Sequence, residues 1–377
     1  MNEYSSTYVG LDVHKDTIAV AVAQLGRGDP EYWGTIAHTP EAVTKLLKRL
    51  SPSGEVVNFC YEAGPCGYGL YRQLTAAGHR CIVVAPSLIP RKAGSRVKTD
   101  RRDAVTLARL DRAGELTAVW VPDDEQEAIR DLSRAREDMK AAERRARQRL
   151  SAFLLRHGLS YSGGKSRWTQ AHWRWLEGVK MDSPWQQIAL QEYIDAVKEA
   201  QRRVATLEEH MREAVAHWSL GPVVEALMAL RGVQLVTAVT ILAELGDLTR
   251  FDSPRELMAY LGLVPSEHSS GGTRRQGAIT KTGNGHARRV LTEAAWAYRF
   301  PARKTATIER RAECTSPGVQ GIAWQAQKRL CRRYRALIAA GKPANQAVTA
   351  VARELAGFIW AIARECAGQP HGSRALA

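Results

Sequence analysis

Four carboxylates stand where they could share metal ions. Asp12 closes the apolar run Tyr8-Val9-Gly10-Leu11-Asp12-Val13, and Glu62 closes a second in Cys60-Tyr61-Glu62-Ala63-Gly64. Asp100 and Asp103 lie three apart in Lys98-Thr99-Asp100-Arg101-Arg102-Asp103-Ala104, at the start of a helix. That spacing puts both on one helical face. Four acids gathered without a cation repel one another. Two divalent ions about 4 Å apart would relieve the repulsion and activate a phosphodiester for in-line attack. Oxygen donors suit Mg²⁺, with Mn²⁺ as its substitute. Taken singly, Asp12 and Glu62 would serve as strand-end partners of an Arg, and Asp100 and Asp103 as helix caps. The metal reading rests on the set. His14 and Lys15 follow Asp12 and either touch phosphate, tune the site or face solvent as turn residues.

A second group centres on serine. Gly262-Leu263-Val264-Pro265-Ser266-Glu267-His268-Ser269-Ser270-Gly271-Gly272-Thr273-Arg274-Arg275 is polar and glycine-rich, and continues through Lys281, Gly283 and Asn284 to His286-Ala287-Arg288-Arg289. A serine beside glycine can approach a backbone phosphate closely. Arg274, Arg275 and Arg288 could neutralise its charge. By spacing alone, this loop serves plain phosphate binding as readily as nucleophilic attack.

The elements that must position these groups come in two styles. Residues 8–86 alternate strand and helix. Tyr8–Val13 and Thr17–Val22 predict a hairpin, Tyr32–Ala37 a third strand, and Pro40–Leu50 a helix capped by Thr39. Glu55–Tyr61 and Cys81–Ala85 follow as strands around a helix at Tyr68–Ala77. Three strands, then helix, strand, helix, strand, helix is the order of the ribonuclease-H-like fold. From Asp123 to about Leu155, and from Trp185 to Trp218, the chain is helical and charged with narrow apolar seams, which predicts an antiparallel coiled coil or dimerising hairpin. Trp168, Trp173, Trp175 and Trp185 crowd this stretch, and packing outweighs base stacking as their role. Residues from Gly221 onward are mostly helical. The expected class is α/β plus α: a ribonuclease-H/RuvC-like metal-binding domain at 1–122, a helical coiled-coil region at 123–220 and a mostly helical unit at 221–377.

Charge points to the partner. The 377 residues carry 54 Lys and Arg against 39 Asp and Glu, a net +15. Such an excess favours a polyanion, and the dominance of Arg over Lys suits forked contacts to phosphate. Arg91 to Arg112 holds eight basic residues with three Asp, and Arg274 to Lys304 holds eight with one Glu. Lys15, Arg91, Lys92, Arg96, Lys98, Arg101 and Arg102 are candidate nucleic-acid contacts around the acids, as are Arg274, Arg275, Lys281, Arg288 and Arg289 around the serines. No apolar run reaches the roughly 18 residues of a membrane span, and the start of the chain is polar, so a cytoplasmic location without membrane contact is expected. The six cysteines show no Cys-x-x-Cys spacing and read as reduced thiols.

In this order, the motifs around Asp12, Glu62 and Asp100–Asp103, followed by Tyr260-Leu261-Gly262-Leu263-Val264-Pro265 through Ser270-Gly271 and Lys281-Thr282-Gly283-Asn284, resemble insertion-sequence transposases. The family is the one with an Asp-Glu-Asp-Asp RuvC-like domain, related to the Piv invertase. The resemblance runs from about residue 8 to about residue 340. It implies a metal-binding tetrad at Asp12, Glu62, Asp100 and Asp103, and a C-terminal transposase domain whose serine joins covalently to DNA. The matching position is Ser270, with Ser269 beside it. It further implies a homo-oligomer in which tetrad and serine come from different subunits, and a structured non-coding guide RNA (a bridge RNA) from the element itself. Three rivals differ in chemistry. A hydrolytic junction-resolving nuclease shares the acids but leaves the C-terminal unit without a use. A small-molecule kinase of the actin and hexokinase type shares the sheet but not the charge. A non-catalytic binder accounts for the basic tracts but not for four matched acids.

Overall fold

The computed structural model describes residues 7–90, 99–164, 166–270, 272–273 and 275–368. The chain divides into two compact units, Met1–Val121 and Pro122–Ala377.

The first unit is built from strands β1 (Thr7–Val13), β2 (Thr17–Gln24) and β3 (Glu31–Ala37), helix α1 (Pro40–Leu50), strand β4 (Asn58–Glu62), helix α2 (Gly69–Ala76), strand β5 (Arg80–Val84) and helix α3 (Asp100–Arg112). The sheet order is β3-β2-β1-β4-β5. β1, β2 and β3 are antiparallel neighbours, whereas β1, β4 and β5 run parallel. The alternation along β2 explains the layering. Ile18, Val20 and Val22 point to one face and join Val43, Leu46 and Leu47 of α1 and Leu70 and Leu74 of α2. Ala19, Ala21 and Ala23 point to the other and meet Ala104 and Ala108 of α3. Large branched side chains hold one pair of helices at ordinary distance, and alanines let α3 lie close.

Gly10 sets how close. It shares the α3-facing side of β1 with Tyr8 and Asp12. A Cβ there would stand 2.2 Å from the Ala104 carbonyl oxygen and 2.4 Å from the Ala108 amide nitrogen. Both are backbone atoms, so no rotamer change relieves the clash. At the start of α3, Thr99 Oγ1 accepts from Arg102 N at 3.3 Å, and Asp100 and Asp103 occupy the first turn. A hydroxyl cap and acids at the positive end of the dipole begin the helix here.

The far end of α3 carries an unfavourable charge. Asp111 sits in its last turn, and its Oδ2 is buried without a hydrogen-bond partner. Burial pushes its carboxyl up from an ordinary 3.8 to about 6.

The second unit begins with two long helices, α4 (Asp124–Arg156) and, after α5 (Gln170–Gly178), α6 (Pro184–His217). Then come α7 (Gly221–Leu227), α8 (Leu235–Leu245), α9 (Pro254–Tyr260), a small hairpin of β6 (Pro265–Glu267) and β7 (Gln276–Ile279), α10 (Gly285–Ala295), α11 (Ala306–Glu313), α12 (Pro317–Ala339) and α13 (Ala344–Ala367). α8 is buried on every side from Ala238 to Leu245, as a helix apolar all round must be. It forms one core with α7, α10, α12 and α13. α4 and α6 pack along each other, but α4 is used twice. Ile129 and Leu132 near its start pack into the core around α8. Leu150, Phe153 and Leu154 near its end form a separate cluster with Leu176 of α5 and Leu190, Ile194 and Val197 of α6. Trp168, Trp173 and Trp175 pack against that cluster. Trp185, expected to pack with them, is 79% exposed. Among the described residues no helix is long and apolar enough to cross a membrane.

Two outcomes follow from this packing. Gly10→Ala should destabilise the first unit by about 1–3 kcal/mol or more, the cost of forcing one extra carbon into a filled contact, measured by thermal unfolding. Asp111→Asn should raise the melting temperature at pH 7.5 and leave it near the parent value at pH 4. The folded carboxyl has the higher pKa, so its contribution to stability is full below about 4 and is lost as pH rises through about 6.

Candidate functional sites

Strand parity and register bring the first two acids together. Gly10 pairs with Cys60 and Leu11 with Tyr61 across the parallel β1–β4 contact. Asp12 and Glu62 are the next positions on adjacent strands, each two residues beyond a partner on the α3-facing side. The first turn of α3, held close by Gly10, adds Asp100 and Asp103. Asp12 Oδ2 lies 3.3 Å and Asp100 Oδ1 3.5 Å from His14 Nε2. One ligand atom from each of Asp12, His14 and Asp100 falls within 4.8 Å of the others. Glu62 lines the same cleft, about 620 Å³, with Asp12, His14, Lys15 and His38.

Burial pushes the Asp12 carboxyl above its ordinary value. His14 opposes this, and the charges of Asp103 and Asp100 add to it. A half-buried acid surrounded by acids is short of positive charge, and its donors are carboxylate oxygens with one imidazole nitrogen. This donor set fits a divalent cation.

The β1–β2 turn that carries His14 is pinned. His14 N donates to Thr17 O at 2.8 Å, His38 Nδ1 donates to His14 O at 2.7 Å, and His38 N donates to Asp16 O at 3.0 Å. His38 gave no signal in the sequence, because it reaches the turn from the end of β3, 24 residues away. Of the basic residues expected here, Lys15, Arg101 and Arg102 are exposed. Arg91, Lys92, Arg96 and Lys98 lie outside the described residues.

In the second unit, both serines fall on the β6–β7 hairpin. Ser270 and Thr273 exchange backbone hydrogen bonds of 3.3 and 3.2 Å. Ser269 Oγ donates to Glu267 Oε1 at 2.9 Å and accepts from Arg275 N at 3.3 Å. Ser270 is exposed, and no described residue hydrogen-bonds its hydroxyl. The two serines, equivalent by spacing, are therefore unlike: one hydroxyl is tied down and the other is presented at the tip. Gly271 and Arg274 lie outside the described residues.

Arg275 and Lys281 are exposed. Arg288 and Arg289 are committed internally. Arg288 Nη1 donates to Leu261 O at 2.9 Å and Thr282 O at 2.7 Å, which ties the hairpin base to α9. Gly283 makes that junction tight: its φ is +67°, and a Cβ would stand 1.9 Å from Tyr260 O. Arg289 pairs with Glu137 at 2.9 Å and Glu293 at 2.8 Å.

Beneath the hairpin lies a residue the sequence did not single out. Glu244 on α8 has a fully buried side chain. Arg134 Nε and Nη2 donate to its two oxygens at 2.8 and 3.0 Å. Asn284 Nδ2 donates at 2.6 Å, and His286 Nδ1 lies 3.3 Å away. Burial alone would raise its pKa. The bonds from His286, Arg134 and Asn284 outweigh it and hold the carboxyl well below the ordinary range. The only sequence signal was an acid inside an otherwise apolar helix, which asks for a partner.

An N-terminal sheet of three antiparallel and two further parallel strands, with acids gathered at one end, is consistent with the ribonuclease-H-like fold of Asp-Glu-Asp-Asp nucleic-acid enzymes. Comparison with known proteins is more specific. Residues 9–158 match a transposase domain model of the DEDD type, and residues 224–308 match the model described as "Transposase IS116/IS110/IS902 family". A Sinorhizobium fredii protein named as a transposase is 52% identical over 364 residues, covering 96% of this chain and 90% of its own. The Leptospira borgpetersenii transposase for insertion sequence element IS1533 is 31% identical over 334 residues, covering 88% of this chain and 96% of its own. The chain belongs to the IS110/IS116/IS902 family of transposases.

Glu244→Gln should cost about 3 kcal/mol in urea unfolding at pH 7, the low end for breaking a buried pair, because Arg134 stays half-exposed. Amide exchange across the hairpin should quicken in the same variant.

Proposed function

We propose that the chain cuts and rejoins DNA through a covalent phosphoserine at Ser270, with metal-assisted phosphoryl transfer at Asp12, Glu62, Asp100 and Asp103. Family membership supplies transposition of DNA. The observations that support the finer reading are that Asp12 and Glu62 line one cleft with Asp100 3.5 Å from the shared His14, and that no described residue hydrogen-bonds the Ser270 hydroxyl while Ser269 is bonded to Glu267 and Arg275. The tetrad would hold Mg²⁺, or Mn²⁺ in its place, and the ion would supply charge neutralisation at a scissile phosphate.

In this reading Ser270 Oγ attacks phosphorus, forming one P–O bond as the bond to the departing strand breaks. The serine proton leaves and the departing strand's oxygen gains one, so the phosphate ester count is unchanged. The hydroxyl of another DNA end then attacks the phosphoserine, seals the new junction and returns Ser270. Each step exchanges one phosphodiester for another, so ATP is not required. Arg275, Lys281 and the neighbouring Arg274 hold backbone phosphate at the hairpin. Lys15, Arg101 and Arg102, with Arg91, Lys92, Arg96 and Lys98, hold it beside the acids. Arg288 and Arg289 support the hairpin from beneath, through the partners they already have.

Three further parts of the proposal rest on the motif resemblance. The enzyme is a homo-oligomer that joins the acid cleft of one subunit to the serine of another, as in relatives of the Piv invertase. The division of labour follows residues 1–122, 123–220 and 221–377, with the middle part acting as a coiled coil. A structured non-coding RNA of the element selects donor and target by base pairing, while the protein reads backbone and shape, the logic of other guided systems.

The test is a covalent-adduct assay in cells that carry the gene, its flanking non-coding DNA and a circular junction of the element ends. After denaturing lysis, DNA bound to protein should be recovered from the parent and from Ser269→Ala, and lost in Ser270→Ala and Asp12→Ala. Metal-dependent nicking without adduct would replace this reading by a hydrolytic nuclease. Normal recombination by Ser270→Ala would reject the nucleophile.

A further inference from the structure

Resting on the acid-cleft reading, we propose that His14 is itself a ligand of the cation held there, so that the site has one nitrogen donor among its carboxylates and favours Mn²⁺ over Mg²⁺. Three observations carry this. First, the spacing fits an ion. Donors about 2.1 Å from an octahedral cation are about 3 Å apart when adjacent. His14 Nε2 stands 3.3 Å from Asp12 Oδ2 and 3.5 Å from Asp100 Oδ1, so a small inward movement of three side chains closes the shell.

Second, the residue is held in place. The turn after β1 is fixed by His14 N to Thr17 O and by the two bonds from His38. The imidazole therefore leaves a rigid backbone directly beside Asp12 and does not swing on a loose loop. The bond from His38 reaches the His14 main chain, so it fixes the backbone from which the imidazole projects.

Third, the chemistry discriminates. Mg²⁺ strongly prefers oxygen and keeps its water. Carboxylate oxygens suit Mg²⁺ and Mn²⁺ alike, whereas imidazole is a ligand of first-row transition ions, of which Mn²⁺ is the most weakly bound. A carboxylate-only cleft would treat the two ions nearly alike. A cleft with His14 in the shell would not.

The experiment uses the full-length protein with MnCl₂ and pulsed electron paramagnetic resonance, which detects nitrogen bonded to Mn²⁺, beside calorimetric titrations with Mn²⁺ and Mg²⁺ alone. The parent should show a directly coupled nitrogen. His14→Gln, checked for folding by circular dichroism, should still bind Mn²⁺ but lose that coupling. Its affinity for Mn²⁺ should fall by at least about tenfold, the smaller loss seen when even an outer partner of a metal-bound histidine is removed, with a smaller change for Mg²⁺. Asp12→Asn should weaken both ions. Mn²⁺ bound by the parent without nitrogen coupling, or coupling that survives in His14→Gln, would overturn the inference and leave the acid cleft standing. A parent that binds no Mn²⁺ would overturn both.

Discussion

The closeness of α3 to β1 over Gly10 is the contact on which the acid cleft depends. A strand delivers side chains to alternate faces, so Asp12 and Glu62 share a face by parity and adjacent strands by register. Neither fact brings a helix to them. The helix arrives because one face of the sheet is lined by Gly10, Ala19, Ala21 and Ala23, and α3 answers with Ala104 and Ala108. The opposite face, lined by valine, isoleucine and leucine, holds its helices by bulk. The same sheet thus separates a stabilising side from a side where backbone approaches backbone. Asp100 and Asp103 come within Coulomb reach of Asp12 as a result: burial does most to raise the Asp12 pKa, and the charges of Asp103 and Asp100 add to it.

The second unit solves a different problem. Its hairpin is short, polar and exposed, and has almost no apolar surface with which to hold itself. Its order comes from below. Glu244 is a buried charge, costly by itself, and it is satisfied by Arg134 from α4 and by Asn284 and His286 from the loop into α10. Arg288 adds a clamp on the backbone of Leu261 and Thr282. Residues that look like free positive charge in the sequence are in part internal struts. Arg275 and Lys281 are exposed, and so is Arg289 beside its two acid partners.

Both units place the candidate groups at the edge of a packed element: acids at the ends of parallel strands and at a helix N-terminus, and a serine on a hairpin anchored on a buried ion network. Phosphoryl transfer gains from such placement, because little of the work is making new functional groups and most is holding charge and oxygen in line.

Local rules made much of the first unit legible. Alternation predicted β1 to β3 and caps predicted α1, with Pro40–Leu50 as observed. Asp12 and Glu62 stood out as carboxylates at the ends of apolar runs, and Asp100 and Asp103 by their spacing at a helix start. The same rules missed what is short or polar. β6 and β7 have three and four residues and no alternating apolar face. α12 opens at Pro317 behind the Ser316 cap, a helix start spelled by the two residues themselves. What the sequence by itself determined was the strands of the first unit, the acid and serine motifs and the positive charge, all encoded within a few neighbouring residues. Tertiary structure alone decided that Ile129 and Leu132 join the core around α8, that Trp185 stays in solvent, that Glu244 anchors the hairpin, and that the Ser269 hydroxyl is bonded while no described residue bonds that of Ser270. Each of these depends on which distant segment fills the space beside a residue, and that is set by packing of the whole unit and not by local periodicity.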